Sequence, residues 1–230
     1  MAKPPLAPDP VPDKPASVPA ADPLPPEGYV AALDRLGELV SRETVERLDA
    51  YLQLLRQWQR TINLVAASTL IDPWRRHLLD CAQLLPLLPE TDGLVDLGSG
   101  AGLPGLVLAT HRPSLRVSLV ESDQRKGAFL LEARRRLALA NLEVIGGRIE
   151  AVTPQPRHIV TARALAPLDQ LLAWAEPWMK SPAICLFHKG YRYRDELTAA
   201  DRRWMIDCSV VPSVTDPQGV VLRIANVKRK

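Results

Sequence analysis

Residues 93–105, GLVDLGSGAGLPG, constrain the fold of this chain more than any other stretch. A short apolar run with Asp96 inside it is typical of a buried strand, and the glycines at 98, 100, 102 and 105 lead into the apolar segment LVLAT, which can open a helix. Because glycine has no Cβ, such a turn can take positive φ and let a ligand lie against peptide N–H groups at the positive end of the helix. The stretch therefore predicts a strand, a tight turn and a helix that together hold a cofactor.

Two classes of cofactor fit this turn. Gly100, Gly102 and Gly105 match the dinucleotide fingerprint G-x-G-x-x-G, and Glu121 follows about 20 residues on, where an acid can hold ribose hydroxyls. Asp96 favours the other class, because a carboxylate at the mouth of the first strand would repel a pyrophosphate. S-adenosylmethionine has no phosphate and carries an ammonium and a sulfonium. The residues therefore favour S-adenosylmethionine over a dinucleotide, and both over a glycine turn without a ligand.

Composition excludes several classes of protein. A chain of 230 residues with 47% apolar residues suits one α/β domain and a modest extension, and its net charge of +3 is compatible with a polyanionic partner. Three distant cysteines and four histidines without ligand spacing predict neither a disulfide framework nor a structural metal. No apolar run approaches the ~20 residues of a membrane span, and the chain starts without a secretory apolar segment. We expect a cytoplasmic protein with no membrane partner.

The order of the apolar patterns predicts the organisation of the chain. Residues 1–27 are rich in proline and predict a disordered tail. Residues 28–89 contain three helical patterns and predict an N-terminal helical cap, with Ser41 capping the second helix and Asp72 starting the third. Over residues 90–230 strand and helix patterns alternate and end in two apolar runs typical of a hairpin. The prediction is an α/β fold with a doubly wound, mostly parallel sheet and an antiparallel terminal hairpin.

Several polar residues fall at the predicted carboxyl ends of strands, where open parallel sheets bind ligands. Glu121 ends the second strand and is placed to bond the ribose hydroxyls of an adenosine, or alternatively to cap the next helix. Arg163 ends the fourth strand, and His188 with Lys189 ends the fifth. These ends predict one shared site.

Two clusters of charge have both a structural and a functional interpretation. On the third predicted helix, His77 lies between Arg76 and Asp80, which are four residues apart and by themselves predict a surface ion pair. The arginines at 134–136 predict either a solvated helix face or contacts with phosphate.

Taken jointly, these motifs resemble the RsmG (GidB) methyltransferases over about residues 45–227. The matching pieces are Asn63-Leu64, RHLLD at 76–80, VDLGSGAGLPG, Glu121-Ser122 followed by Lys126 and Phe129-Leu130, Arg148 with Glu150, TARALAPL, and HKG at 188–190. The resemblance implies a class I S-adenosylmethionine-dependent methyltransferase with a Rossmann-like sheet. It implies methylation of N7 of a guanine in the 530 loop of bacterial 16S ribosomal RNA, with the small ribosomal subunit or its precursor as partner.

The resemblance also implies roles for individual residues. The cofactor set comprises Asp96, Gly98, Gly100, Leu103, Glu121, Ile149, Glu150 and Arg163. The set facing the flipped nucleotide and its phosphates comprises Arg76, His77, Lys126, Arg148 and Lys189. Within these sets Arg163, Lys189 and His77 are the expected catalytic residues. Three positions depart from the family pattern and affect the RNA contacts, namely Gly127, His188 and Gln218.

The residues around the predicted site favour guanine N7 as the methyl acceptor. Methylation at C5 of a pyrimidine needs a nucleophilic cysteine, usually after a proline, and the chain has no Pro-Cys pair. Methylation of an exocyclic amine usually comes with an acid or amide followed by Pro-Pro-aromatic after the fourth strand, where this chain has ARALAPL. Guanine N7 has a lone pair in the ring plane, so a site with arginine and lysine but no obvious base suits it.

Three other functions stay open at the level of the residues. They are a methyltransferase that acts on a small molecule or a protein, a nicotinamide-dependent oxidoreductase, and a non-catalytic RNA-binding module.

Overall fold

Seven strands form one mixed sheet in the computed structural model, which describes residues 23–91 and 93–230. The strands are β1 Gly93–Leu97, β2 Arg116–Glu121, β3 Leu142–Gly146, β4 Arg157–Arg163, β5 Met179–Lys189, β6 Trp204–Pro212 and β7 Val220–Arg229. Their order across the sheet is β3-β2-β1-β4-β5-β7-β6. The first five strands pair in parallel, and β7 lies antiparallel to both β5 and β6. The predicted doubly wound sheet with a terminal hairpin is confirmed. The predicted tail lies outside the described residues as far as residue 22.

The helices are shorter than the patterns predicted. They are α1 Pro26–Arg35, α2 Arg42–Trp58, α3 Asp80–Ala82, α4 Gly105–His111, α5 Gln124–Arg136, α6 Leu168–Ala175 and α7 Tyr193–Ala200. The chain also forms 3-10 turns at Ala67–Ile71, Leu85–Leu87 and Glu176–Trp178. Ser41 caps α2 as predicted, since its side chain accepts a hydrogen bond from the N–H of Thr44. No described helix is long and apolar enough to cross a bilayer.

Two segments differ from the sequence prediction. An ordinary helix was predicted from Asp72, but Trp74–Leu79 forms a π-helical turn, in which the N–H of Asp80 reaches the carbonyl of Arg75. Helix α7 was not predicted at all, because its eight residues give the helical period too few apolar positions to stand out.

Side chains of each strand alternate between two hydrophobic cores, one on each face of the sheet. On β1, Leu94 joins a core that includes Tyr29 of α1 and Leu55 of α2, whereas Val95 and Leu97 join the core beneath α6 and α7. The helices before residue 90 therefore share a continuous core with the sheet. The boundary predicted between residues 89 and 90 separates parts of the sequence, but it does not divide this core.

The parallel strands end along one edge of the sheet. In register, Leu97 of β1 lies beside Val120 of β2, and Arg163 of β4 lies beside His188 of β5. Because these strands run in the same direction, the loops that follow them meet at their carboxyl ends. This edge carries the residues that the sequence assigned to a site.

Candidate active site

A cavity of about 1060 Å³ lies at the carboxyl edge of the sheet, and residues from the cap segment 59–80 also line it. Its lining includes most of the predicted cofactor set, namely Gly98, Gly100, Leu103, Glu121, Ile149, Glu150 and Arg163. It also includes every residue of the predicted RNA set, namely Arg76, His77, Lys126, Arg148 and Lys189. Among the predicted site residues, Asp96 alone is absent from the lining. The structure thus brings the two predicted sets to one place.

The glycine loop after β1 is tightly folded against its neighbours. Gly98 and Gly100 have φ of 64° and 56°, a region that favours glycine. A Cβ on Gly98 would lie 2.5 Å from Cδ1 of Leu165, so the loop also leaves no room for a side chain there. The side chain of Ser99 donates to the carbonyl oxygen of Asp96 at 2.9 Å and ties the loop back to its strand.

The cap helix α2 forms a hydrogen bond to the same loop. The Tyr51 hydroxyl, which is fully buried, donates to the carbonyl oxygen of Ala101 at 2.8 Å. This contact joins residues 50 positions apart and gives a loop carbonyl its partner. The sequence analysis missed Tyr51, because this residue falls among the buried apolar positions of α2 and nothing in the pattern signals a bond from its hydroxyl.

Asp96 lies beneath the glycine loop and does not face the cavity. Its carboxylate is fully buried, and it accepts hydrogen bonds from Thr161 Oγ1 at 2.7 Å and from the N–H of Gly105 at 3.3 Å, at the start of α4. Burial raises the pKa of Asp96 to about 6, although these hydrogen bonds oppose the rise. The structure does not support the expected contact between Asp96 and the methyl donor, because Asp96 is absent from the cavity lining and alternation along β1 directs residues 94 and 96 to the sheet face that packs on α1 and α2. The argument that Asp96 repels a pyrophosphate loses its premise for the same reason.

Glu121 links the glycine loop to the end of β2. One carboxylate oxygen accepts from the N–H of Gly100 at 2.7 Å, and the other accepts from the N–H of Asp123 at 2.8 Å. The side chain is nearly buried but lines the cavity. Since each carboxylate oxygen has more than one acceptor position, Glu121 can take hydroxyl donors in addition to these two bonds.

The loop after β3 forms a second wall of the cavity. The N–H of Gly147 donates to the main-chain oxygen of Glu121 at 3.0 Å, which places residues 148–150 beside the end of β2. Ile149 is half-buried and packs against the core below α6, whereas Arg148 and Glu150 are exposed. The apolar side chain of Ile149 can pack on the flat face of a purine, with a polar residue on either side of it in sequence.

Arg163 is held at the end of β4 by acceptors from the π-helical turn and its end. Its Nη1 donates to Asp80 Oδ2 at 2.9 Å and to the carbonyl oxygen of Arg76 at 3.2 Å, and its Nη2 donates to His77 Nδ1 at 3.2 Å. A guanidinium has five N–H donors, so Nε and one hydrogen of Nη2 have no partner in these bonds. Arg163 is therefore a positioned cation in the wall of the cavity, and two of its N–H donors are not used in these bonds.

His77 is a neutral acceptor and not the cation that the sequence analysis expected. Since Arg163 can only donate, His77 Nδ1 accepts, and His77 Nε2–H donates to Thr69 Oγ1 at 2.8 Å. Burial and, to a smaller extent, the nearby Arg163 lower the pKa of His77 to about 4. Both ring nitrogens are engaged, so His77 serves to position Arg163.

Asp80 pairs with Arg163, whereas the sequence predicted a pair with Arg76 four residues before it. Burial opposes its ionisation, but His188, Arg163 and a hydrogen bond from Thr215 hold the pKa of Asp80 below its ordinary value. Thr215 donates to Asp80 Oδ1 at 2.7 Å and so ties the β6–β7 loop to the site. The RHLLD motif signalled Asp80, but nothing in the sequence signalled Thr215.

His188 completes this cluster from the end of β5. Its Nε2–H donates to the main-chain oxygen of Asp80 at 2.7 Å, while its buried Nδ1 has no partner. Burial lowers the pKa of His188. The residue that departs from the family pattern is thus built into the support of Asp80.

Lys189 is committed to a buried ion pair. Its ammonium donates to Glu196 at 2.6 Å and to the carbonyl oxygen of Ala166 at 2.7 Å, and its side chain is only 6% exposed. The sequence analysis expected this charge to face RNA or the base. The structure instead uses it to fasten the end of β5 to α7.

Among the described residues, three cations predicted at the cavity do not form an ion pair like that of Lys189. Arg76 and Arg148 are exposed and Lys126 is half-buried, and within the described ranges none of the three pairs with a carboxylate. They leave positive charge available at the cavity for an anionic partner.

Three proteins named "Ribosomal RNA small subunit methyltransferase G" are similar to this chain over most of its length. The protein of Gluconobacter oxydans is 49% identical over 192 residues, which cover 83% of this chain and 97% of the relative. The protein of Paramagnetospirillum magneticum is 53% identical, covering 83% and 92% of the two chains. The protein of Rhodospirillum rubrum is 50% identical, covering 89% and 98%.

Solved structures share the fold at much lower identity. TYW2 of M. jannaschii, in complex with AdoMet, is 16% identical and superposes with a TM-score of 0.52 over 74% of this chain and 80% of that chain. A SAM dependent methyltransferase from Aquifex aeolicus is 18% identical, with a TM-score of 0.52 over 69% and 96%. These likenesses confirm the predicted class I methyltransferase fold. The family model "GidB: rRNA small subunit methyltransferase G" matches residues 44–221, and the chain therefore belongs to the GidB family.

Proposed function

We propose that this protein transfers a methyl group from S-adenosylmethionine to N7 of a guanine in the 530 loop of 16S ribosomal RNA. The observation that carries the proposal is Arg163, a cation held by Asp80 and His77 with two N–H donors left for a ligand. It lines the same cavity as the glycine loop and the exposed cations. The names of the relatives at about 50% identity support the same activity.

The glycine loop and the ends of β2 and β3 suit the donor. Gly98 and Gly100 let a ligand approach the backbone, and Glu121 offers acceptors for ribose hydroxyls. Ile149 would lie against the adenine, and Leu103 against the methionine side. S-adenosylmethionine supplies an electrophilic methyl group on a sulfonium. The protein has to align donor and acceptor and exclude water.

The acceptor follows from the groups around Arg163. A guanidinium forms a planar fork that can bond O6 of guanine together with a second acceptor, which would orient the base edge that carries N7. His77 has both nitrogens bonded, and Asp80 is ionised and paired. These groups are poor proton acceptors for an incoming base. N7 needs none, because its lone pair is already free.

The RNA partner follows from the charges. Arg76, Lys126 and Arg148 would contact phosphates on either side of the target nucleotide. A guanine in an unpaired loop can enter the cavity at a lower cost than one in a helix. The proposal places the protein in the cytoplasm with the small ribosomal subunit or its precursor.

Purified protein, isotopically labelled S-adenosylmethionine and unmethylated small subunits test the proposal. The expected product is N7-methylguanosine in digested RNA, and the rate should fall as salt rises. Separate arms offer free nucleotides, a protein extract and NAD. Label in protein or in a small molecule, or no label transfer at all, would overturn it.

A further inference from the structure

Tyr191 is the one aromatic side chain left largely in solvent among residues 23–91 and 93–230. It is 70% exposed, while every other described aromatic ring is at least partly buried. It follows Gly190, which lines the cavity, but it does not line the cavity itself. Tyr191 thus continues the chain directly from a residue of the cavity lining, and we call this position the rim of the site.

The turn that carries Tyr191 is anchored on both sides. The N–H of Tyr193 donates to the carbonyl oxygen of Gly190 at 3.0 Å, so Tyr191 and Arg192 are the two central residues of the turn. Before the turn, the buried Lys189 is bonded to Glu196 and Ala166. After it, Tyr193 packs on the core beneath α6 and α7. An exposed ring on a fixed turn loses little conformational entropy when it binds a ligand.

The pair of side chains at the tip offers an aromatic face and a positive charge together. The guanidinium of Arg192 lies over the Tyr191 ring, 5.9 Å from its centroid, and both side chains are exposed. Proteins bind single-stranded RNA with this combination, because bases stack on aromatic rings and arginine pairs with phosphate.

We propose that Tyr191 and Arg192 bind the nucleotide next to the target guanine, with its base stacked on Tyr191 and its phosphate at Arg192. A ring at the rim reaches a neighbouring nucleotide and not the base inside the cavity. This inference rests on the proposed function, since it takes unpaired RNA as the substrate. It assigns substrate contacts to residues outside the motifs shared with the family.

Methylation kinetics with unmethylated small subunits test the stacking. Tyr191→Phe keeps the ring, and its KM for the subunit should stay near that of the wild type. Tyr191→Leu keeps an apolar side chain without the ring, and its KM should rise about 5- to 100-fold, the usual loss for one stacked base. The affinity for S-adenosylmethionine, measured by calorimetry, should be unchanged in both variants. Equal KM values for Tyr191→Phe and Tyr191→Leu would overturn the inference.

Arg192→Ala tests the phosphate contact against a matched loss of charge. The logarithm of the affinity for the small subunit falls linearly with the logarithm of the salt concentration. The magnitude of this slope should be smaller by about one in Arg192→Ala than in the wild type. Lys180→Ala removes an exposed positive charge at the amino end of β5, whereas the cavity lies at the carboxyl end of that strand. Its slope should match that of the wild type. An unchanged slope in Arg192→Ala overturns this contact.

A photo-crosslinking amino acid at position 191 tells RNA from protein. The expected adduct with the small subunit is sensitive to nuclease, whereas adducts only with a ribosomal protein overturn the inference. The crosslink does not require turnover. If the wild type transfers no methyl group but position 191 still crosslinks to RNA, the proposed function fails and the RNA contact stands.

Discussion

At the scale of single residues, the site is organised by the contacts of Arg163. The acceptors that hold its guanidinium come from Arg76, His77 and Asp80, all within five consecutive residues. The π-helical turn brings a main-chain oxygen and an imidazole nitrogen to the same side, next to the Asp80 carboxylate. Arg163 is thereby fixed before any ligand arrives, which lowers the cost of ordering it on binding.

Arg163→Lys tests whether the planar fork matters beyond its charge. A lysine keeps the charge but cannot bond Asp80, His77 and a guanine edge together. We expect kcat/KM for the small subunit to fall about 10- to 100-fold, since a hydrogen bond from a charged donor to guanine O6 is worth about 1.5–3 kcal/mol. Arg203→Lys, at an exposed arginine that pairs with Asp169 outside the cavity lining, is the control and should stay near wild type. Equal rates for both variants would contradict the role of Arg163.

Asp96 shows what a sequence leaves undetermined at this scale. Its place in the glycine motif correctly marks the cofactor site, but the direction of its side chain follows from the pleat of β1. Residue identity predicted a charge facing the ligand. In the structure the carboxylate instead accepts hydrogen bonds from Gly105 and Thr161 and is buried.

Asp96→Asn separates the two roles. The amide oxygen can accept from Gly105 while the amide nitrogen donates to Thr161, so we expect the variant to fold and to keep its affinity for S-adenosylmethionine. The pKa of Asp96 in the folded protein, about 6, lies above its ordinary value of 3.8. Its stabilising contribution is therefore full below pH 3.8 and is lost as the pH rises through 6.

Urea unfolding at pH 5 and pH 7.5 measures this contribution. The wild type should lose about 1 kcal/mol relative to Asp96→Asn between the two pH values. Parallel pH dependence would contradict the burial of an ionisable carboxyl. A large loss of donor affinity in the variant would restore Asp96 as a direct contact.

At the scale of elements, the cap helix α2 supports the glycine loop through one hydroxyl. Tyr51 reaches over the loop and bonds the carbonyl oxygen of Ala101. The pattern of α2 predicted that one helix face packs on the domain that follows, and the structure has Leu48, Leu52 and Leu55 buried there. The partner of that face could not be predicted, because helical periodicity gives a buried face without its neighbour. The contact of α7 with Lys189 was missed for a different reason, because α7 itself was not predicted.

Tyr51→Phe tests this support. Removing the hydroxyl leaves the Ala101 carbonyl without its partner, which costs about 1–3 kcal/mol where that carbonyl is buried. The loop should loosen, so we expect weaker binding of S-adenosylmethionine together with the loss of stability. Calorimetry and urea unfolding measure the two effects.

Tyr29→Phe is the matched control for Tyr51→Phe. It removes the hydroxyl of another fully buried tyrosine, which hydrogen-bonds His111 at 2.6 Å and has no hydrogen bond to the glycine loop among the described residues. It should lower stability without changing the affinity for the donor. If both variants weaken donor binding equally, the contact between α2 and the loop has no special role.

At the scale of the whole molecule, alternation of strands and helices and one glycine turn sufficed to predict the sheet and the edge that carries the site. The terminal hairpin was predicted from two apolar runs and is confirmed. The π-helical turn was not predictable because it depends on a local change in helical hydrogen bonding. The pairing of Lys189 with Glu196 was not predictable because Glu196 lies on α7, a helix that the sequence pattern did not reveal. Because the cap and the sheet share one core, we expect them to unfold together.

The buried histidines should lower the free energy of unfolding as the pH falls. Burial lowers the pKa of His77 and of His111 to about 4, below the ordinary value of 6.5. Their stabilising contribution is full above pH 6.5 and is lost as the pH falls towards 4. We expect about 2 kcal/mol of destabilisation from each at pH 5 relative to pH 7.5, partly offset by Asp96.

His111→Gln isolates one of these contributions. Glutamine can still bond Tyr29 but does not titrate. Urea unfolding from pH 7.5 to pH 5 should show a shallower loss of stability in the variant than in the wild type. Equal slopes would mean that His111 is not held neutral in the folded protein.

The central claim is that this chain methylates N7 of one guanine in the 530 loop. The most direct test uses 16S RNA from cells without the gene, complemented with the wild type or with Arg163→Ala. Borohydride reduction followed by aniline cleaves RNA at N7-methylguanosine. We expect cleavage in the 530 loop with the wild type, and none there without the gene or with Arg163→Ala. Cleavage in the 530 loop of RNA from cells without the gene would contradict it.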